Sequence, residues 1–361
     1  MKMELVEILK MVPTKKEHVG CDEIRHSLKH YKEVDMKAGK LKESILKRSV
    51  LKQLHTRNKD VLASPTVGGD FGAILVTEDT AVVLSSDPVT LTQDAIGSSA
   101  IMAACNDIAC SGATPLGVTV TMLLPTTFNE EELRALMKDL DVACEACGVD
   151  ILSGHTEVTR TVKEPLVVVT AMGKVLKQDM LHSSGVRPGM DIVATKWIGL
   201  EGTAILATEK EEALRSRYAQ PFIDKAKVFR QMMSIIPEAA VAVRSGASAM
   251  HDVSEGGIFG ALWELAESAG VGLEIDLKKI PIRQETVEIC EFFDLNPYKL
   301  LSGGCLLIAT EDGNGLVMEL EKVDIPAVII GKATDSNDRV LINEDERRFL
   351  ETTQTDELYS I

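Results

Sequence analysis

The chain of 361 residues has no basic excess, no cysteine framework and no long unbroken apolar run, and each absence closes off a class of function. Its 55 acidic against 39 basic residues leave a formal charge of -16, whereas a sequence-independent nucleic-acid binder needs Lys and Arg to neutralise phosphates. No nucleic-acid partner is expected, and any phosphate bound here arrives with a cation. The seven cysteines, at 21, 105, 110, 144, 147, 290 and 305, are odd in number and scattered, unlike the dense bridges of a small secreted domain. A reducing, cytoplasmic setting is expected. The longest uncharged run, Ile108 to Asn129, is broken by Pro115 and Pro125 and reads as turn, strand and turn, so no membrane segment is expected. The opening stretch MKMELVEILKMVPTKKEH holds no apolar core of signal-peptide length. Neither common nucleotide loop is present: no GxxxxGK[ST] occurs, and GLEGTAI offers only Gly199 and Gly202 in place of GxGxxG.

What is there describes a folded protein. Hydrophobic residues make up 45% and charged residues 26%, and the length exceeds what one core organises, so two domains follow. Residues 1–36 carry charged, helix-like patches and read as a helical N-terminal extension. Leu41, Ile45, Leu46, Val50, Leu51 and Leu54 recur at three- and four-residue steps and predict a helix from Gly39 to Val61. Strands are predicted over Gly72 to Val76, Thr80 to Ser85, Leu116 to Leu124, Val149 to Leu152 and Leu166 to Met172. Helices are predicted from Gly97 to Ser111 and from Glu130 to Cys147. The stretch KQDMLHSSGVRPG, residues 177–189, is rich in turn formers and marks a boundary, giving an N-terminal domain over 37–176 and a C-terminal domain over 177–361. Strands separated by long helices without strict alternation indicate an α+β class.

Three acidic residues stand where strands or helices meet small-residue turns: Asp70 in VGGDFGA, Asp87 in SSDPVT and Asp107 in CNDIACSGA. Singly, each reads as a turn or helix cap. Together, converging on one rim of a sheet, they could hold Mg²⁺ with the oxygens of a substrate phosphate. Gly69, beside Asp70, would let the backbone approach such a phosphate closely. In SGHTEVT, residues 153–159, Gly154 reads as a turn after a strand, and the polar group that follows is either a solvated turn or part of a metal or phosphate site. HDVSEGG, residues 251–257, leads into a helix that Ser254 or Asp252 could cap, with Gly256 and Gly257 leaving its first amides open to an anion. Cys144 and Cys147 form a CxxC inside a helical pattern with no second pair, and His26 and His30 lack the glutamate of a metalloprotease motif; both pairs read as structural.

In chain order the motifs are AGKLKESILKRSV, GGDFGAI, SDPVT, CNDIACSGATPLG, SGHTEVT, SGVRPGMDIVAT, IGLEGTAILA, HDVSEGGIFGALWELAESAGVGLEI and LLSGGCLLIAT. This series resembles the aminoimidazole ribonucleotide synthetase superfamily, and within it the branch of the hydrogenase-maturation protein HypE, from about Gly39 to the C-terminus. The resemblance implies a two-domain PurM-like α+β fold whose N-terminal sheet joins that of a second copy into a dimeric β-barrel and whose C-terminal domain is an α/β sandwich. It also implies a homodimer that binds ATP and activates a substrate oxygen by phosphoryl transfer. Carried over by motif, Asp70, Asp87 and Asp107 would be Mg²⁺ and phosphate ligands, with Gly69 and Asn106 beside them. Gly154, His155, Thr156 and Glu157 would form another wall of the ATP site, and Asp252, Gly256 and Gly257 would close it from the C-terminal domain. Two departures stand out. The hydrogenase-maturation branch carries Asp where His155 stands, and it ends in Pro-Arg-Ile-Cys where this chain ends DELYSI, so carbamoyl dehydration on a tail thiol is not expected in cis. The expected function is a Mg²⁺-dependent ATP enzyme related to hydrogenase maturation, acting on an unidentified small-molecule or protein-tail substrate. The alternatives are a non-catalytic nucleotide- or partner-binding homodimer and a phosphotransferase similar to thiamine-monophosphate kinase.

Overall fold

The computed structural model describes residues 40, 42–352 and 355–361, and the helical extension expected over 1–36 lies outside them. Among the described residues, the strands form two sheets. The first holds β1 (Val61–Ala63), β2 (Gly72–Leu75), β3 (Thr80–Val89), β4 (Thr114–Pro125), β5 (Asp150–Thr159) and β6 (Leu166–Leu176), in the order β1-β2-β3-β6-β4-β5. The second holds β7 (Asp191–Thr195), β8 (Ala249–Val253), β9 (Gly272–Asp276), β10 (Cys305–Thr310), β11 (Ala327–Thr334), β12 (Arg339–Asn343) and β13 (Glu346–Phe349), in the order β13-β12-β9-β11-β7-β10-β8. Only the β4–β5 and β9–β12 pairs are parallel. This is the mixed α+β, PurM-like architecture that the motifs imply. No helix among the described residues is long and apolar enough to cross a membrane.

Side-chain alternation explains how the first sheet is covered. Val167, Val169, Ala171 and Val175 of β6 are buried at every second position, and they join the helices Ile96–Cys110 and Glu130–Cys147 in one apolar cluster. Gly97 lets the two helices close up, since a Cβ there would lie 2.9 Å from Leu140 Cγ. The second helix begins on a reciprocal cap: the Asn129 side chain accepts from the Glu131 and Glu132 amides, and the Glu132 side chain accepts from the Asn129 amide. In the second sheet, β8 and β10 are buried along their whole length, between the helix Gly257–Ala269 on one face and Ile236–Arg244 on the other.

Three local expectations fail for identifiable reasons. The helix predicted over Gly39 to Val61 ends at Gln53, after a π turn and a 3₁₀ turn, and Val61 pairs with Ile74 in β1 instead. The polar run His55–Asp60 breaks the periodicity, and the Asn58 side chain accepts the Asp60 amide at 3.0 Å to make a turn. The turn expected at Gly154 is absent: β5 runs straight through SGHTEVT, with Gly154 opposite Val120. Here glycine serves close approach, because a methyl at 154 would overlap the Val120 carbonyl oxygen. Neither Ser254 nor Asp252 caps the helix after β8. It starts on Gly256 at φ 88°, and the Gly256 amide donates to Asp356 Oδ2 at 2.8 Å, across a hundred residues of sequence.

Candidate active site

A cavity of about 830 Å³, within the range of ligand sites, lies where β3, β8 and the helices Ile96–Cys110, Leu200–Glu209 and Gly257–Ala269 converge. Its described lining contains nine carboxylates (Glu43, Asp70, Asp87, Asp107, Glu201, Asp252, Glu255, Glu264 and Asp356) against Lys40, Lys42 and His251. Such a cavity repels a bare anion and accepts one accompanied by metal charge.

The loop Thr66–Asp70 is fixed by Gly68. Its φ of +66° suits glycine, and a Cβ there would run into the backbone carbonyl of Glu264, so the loop lies directly on the helix Gly257–Ala269. That contact aims Asp70 at β8. Asp70 Oδ1 lies 3.4 Å from His251 Nε2, while Asp70 Oδ2 is buried with no hydrogen-bond partner among the described residues. His251 Nδ1 lies 2.8 Å from the Asp252 carbonyl oxygen, which only accepts, so Nδ1 carries a hydrogen and Nε2 faces the carboxylates. Burial alone would lower the His251 pKa, but Asp70, Asp252 and Glu264 outweigh it and raise it to about 10. Burial pushes Asp70 up to about 7, with Asp252 and Glu264 adding to the shift against His251 and Lys40. Lys40 Nζ in turn lies 3.2 Å from Glu264 Oε2.

On the other side of the cavity, β3 and the helix Ile96–Cys110 set Asp87 and Asp107 around one hydroxyl. Ser85 Oγ is 2.9 Å from Asp87 Oδ2 and 2.6 Å from Asp107 Oδ2. One hydroxyl carries one hydrogen, so both contacts hold only if a carboxyl proton supplies the second. Burial, joined by Asp252, Asp87 and Asp70, raises the Asp107 carboxyl well above its ordinary value, in keeping with that count. Further along the wall, burial lifts Glu201 to about 7 and Asp356 to about 6.

The structure thus brings together Gly69, Asp70, Asp87, Asp107, Asp252 and Gly256 of the residues expected from sequence. The others lie elsewhere. Asn106 points away from the cavity, donating to the Met233 carbonyl at 2.9 Å and accepting from the Ile235 amide at 3.0 Å, so its amide is spent on structure. Gly257 is pinned under the backbone of Tyr298 and Leu300, and its amide donates to Ser254 O at 3.1 Å. The amides expected to be open at Gly256 and Gly257 are therefore both taken. Gly154, His155, Thr156 and Glu157 stand exposed on the edge strand β5, outside this chain's cavity. His251, Glu264, Glu201, Lys40 and Asp356 also line the cavity and were not among the site residues expected from sequence. His251 had a signal, standing beside Asp252 in HDVSEGG; Glu201 and Glu264 look like solvated helix positions, and Asp356 reaches the site only by tertiary contact.

Comparison with known proteins now decides the family. The AIR synthase related protein N-terminal domain matches residues 68–175 and its C-terminal domain matches residues 187–343. The chain belongs to the AIR synthase related family. A carbamoyl dehydratase HypE of Rhodobacter capsulatus is 30% identical over 252 residues, covering 68% of this chain and 72% of that protein. A hydrogenase expression/formation protein of Methanocaldococcus jannaschii is 25% identical over 320 residues, covering 84% of this chain and 91% of its own. The crystal structure of a hydrogenase maturation protein HypE in complex with ATP shares the fold, with a TM-score of 0.66 at 19% identity over 89% of this chain and 97% of that one. The HypE-type resemblance of the motifs is thus borne out, and relatives in the family are named as enzymes.

Proposed function

We propose that this chain is a Mg²⁺-dependent enzyme that binds ATP in the acidic cavity and activates a substrate oxygen by phosphoryl transfer. The observation that carries the reading is the cluster of Asp70, Asp87 and Asp107, three carboxylates held together against their mutual repulsion and facing a cavity of ligand size. The residues fit a hard cation: Asp70 Oδ2 is buried without a hydrogen-bond partner among the described residues, and Asp87 and Asp107 share a single hydroxyl. Asp70, Asp87 and Asp107 would hold Mg²⁺, which when bound neutralises phosphate charge and polarises phosphoryl oxygens.

The chain's own groups do the rest. Ser85 fixes the Asp87 and Asp107 carboxyls relative to each other. His251 keeps a hydrogen on Nδ1 through the Asp252 carbonyl and presents Nε2 toward Asp70. Surrounding carboxylates outweigh burial and hold the Lys40 amine cationic, near Glu264 at the cavity wall, where it offers a positive charge to phosphate. The apolar lining of Val89, Leu91, Trp263 and Leu301 gives a flat base a place to bury.

A homodimer is part of the same reading. Among the described residues β5 bonds only to β4, both its faces are exposed, and Ile151, Leu152 and Val158 are among its uncovered side chains. An edge strand of this length invites pairing, and a second copy would cover it. His155 and Glu157 would then sit at the joint.

The test is ATP turnover by the full chain with Mg²⁺, read as ADP or AMP released. Turnover that is lost in Asp87→Asn and Asp107→Asn supports the enzyme; binding without turnover under a broad substrate screen favours the non-catalytic alternative. Formation of thiamine diphosphate would move the assignment to the kinase.

A further inference from the structure

At the base of the cavity Cys110 meets two of the carboxylates. The helix Ile96–Cys110 ends there, and the sulfur of Cys110 and one oxygen each of Asp70 and Asp252 all lie within 4.8 Å of one another. Each comes from a different element: the loop after β1, the C-terminus of the helix, and the fully buried strand β8. Cys110 belongs to the apolar cluster behind the cavity, so the thiol approaches from the protein interior. Within this triangle Asp70 Oδ2 is buried and has no hydrogen-bond partner among the described residues, on a side chain only 10% exposed.

We propose that Asp70, Cys110 and Asp252 form a site for a thiolate-accepting divalent cation of the Zn²⁺, Co²⁺ or Fe²⁺ class, at the floor of the cavity. The chemistry of the donors selects the class. Mg²⁺ takes oxygen ligands in octahedral geometry and has little affinity for sulfur, whereas borderline cations accept thiolate, carboxylate and imidazole together. Ligands about 2.0–2.3 Å from a tetrahedral ion lie roughly 3.3–3.8 Å apart, so a triangle with no side above 4.8 Å needs to close by at most about 1.5 Å, within the reach of side-chain rotation. Binding forms the metal–sulfur bond and releases the thiol proton to solvent, with no change of oxidation state. His251 stands beside the triangle and not in it, with Nε2 3.4 Å from Asp70 Oδ1 and its Nδ1 hydrogen held by a backbone carbonyl, so it orients Asp70. The site shares Asp70 with the proposed Mg²⁺ site but is read through Cys110 and without nucleotide, so either reading can fail alone.

The test uses the reduced full-length chain, stripped with chelator and titrated with Co²⁺. The expected result is a sulfur-to-cobalt charge-transfer band that saturates at one equivalent, is removed by Zn²⁺ and survives a large excess of Mg²⁺. Cys110→Ser should lose the band and weaken Co²⁺ binding about tenfold or more. A second measurement needs no variant: X-ray absorption at the zinc edge of the loaded wild-type protein should show one sulfur neighbour at about 2.3 Å among nitrogen and oxygen neighbours. An oxygen-only shell, a band retained in Cys110→Ser, or Co²⁺ displaced by equimolar Mg²⁺ overturns the proposal.

Discussion

Two histidine–carboxylate pairs in this chain have nearly the same separation and opposite surroundings. His251 Nε2 lies 3.4 Å from Asp70 on the cavity floor, and His155 Nε2 lies 3.5 Å from Glu157 on strand β5. The first histidine side chain is 2% exposed and the second 66%. Coulomb energy scales inversely with the local dielectric, so the buried pair couples strongly and drags its neighbours' titration with it, while the surface pair is worth between nothing and about 1 kcal/mol. Distance alone therefore does not make a site. Burial, and the count of like charges forced together, set the cavity apart from the surface pair.

The largest stability effect is expected one residue away from that charge. Asn106→Ala leaves the Ile235 amide and Met233 carbonyl unpaired in the interior and should cost about 2–3 kcal/mol in urea unfolding. Asp107→Asn should do the reverse: relieving carboxylate repulsion, it should raise the melting temperature of the ligand-free protein while weakening ATP·Mg²⁺ binding at least about tenfold. Adjacent residues would thus separate a structural role from a functional one, and a common direction of effect for the two would break the distinction.

The pH dependence should follow the buried groups. Asp70 and Glu201 each have a folded pKa raised to about 7, and His251 one raised to about 10, so the folded state binds more protons than the unfolded chain. Stability of the ligand-free protein is then fullest near the ordinary carboxylate pKa of about 4, and it falls as pH rises through 7 and on toward 10. Under the proposed reading Mg²⁺ would replace the missing protons, so the rise in melting temperature on adding Mg²⁺ should be larger at pH 8 than at pH 6. An equal rise at both would mean that the carboxylates are not where the ion binds.

The smallest effect is expected on β5. Glu157→Gln removes an exposed partner and should change stability by no more than about 0.5 kcal/mol. It should leave ATP affinity within about threefold of wild type; a loss of tenfold or more would mean that the strand of a second copy reaches the cavity.

The comparison also shows what was legible in the sequence. Asp70, Asp87 and Asp107 were readable because each follows Gly, Ser or Asn near a strand or helix boundary, whereas Asp252 was reached as a site residue only through the family motif HDVSEGG. Asn106 shared the motif but not the direction, since neighbours on a helix point about 100° apart. SGHTEVT misled because glycine has two uses, positive φ and close approach, and only the pairing with Val120 shows which applies. Asp356, which holds the start of the helix Gly257–Ala269, and Glu264, which faces His251, depend on contacts that no local pattern announces.

The central claim, that the acidic cavity binds ATP with Mg²⁺, is tested most directly by isothermal titration with a non-hydrolysable ATP analogue. Wild-type protein should bind one equivalent per chain in Mg²⁺ and lose most of that affinity in chelator, and Asp87→Asn should bind at least about tenfold more weakly. No binding by the wild type, or equal binding by Asp87→Asn, would contradict it.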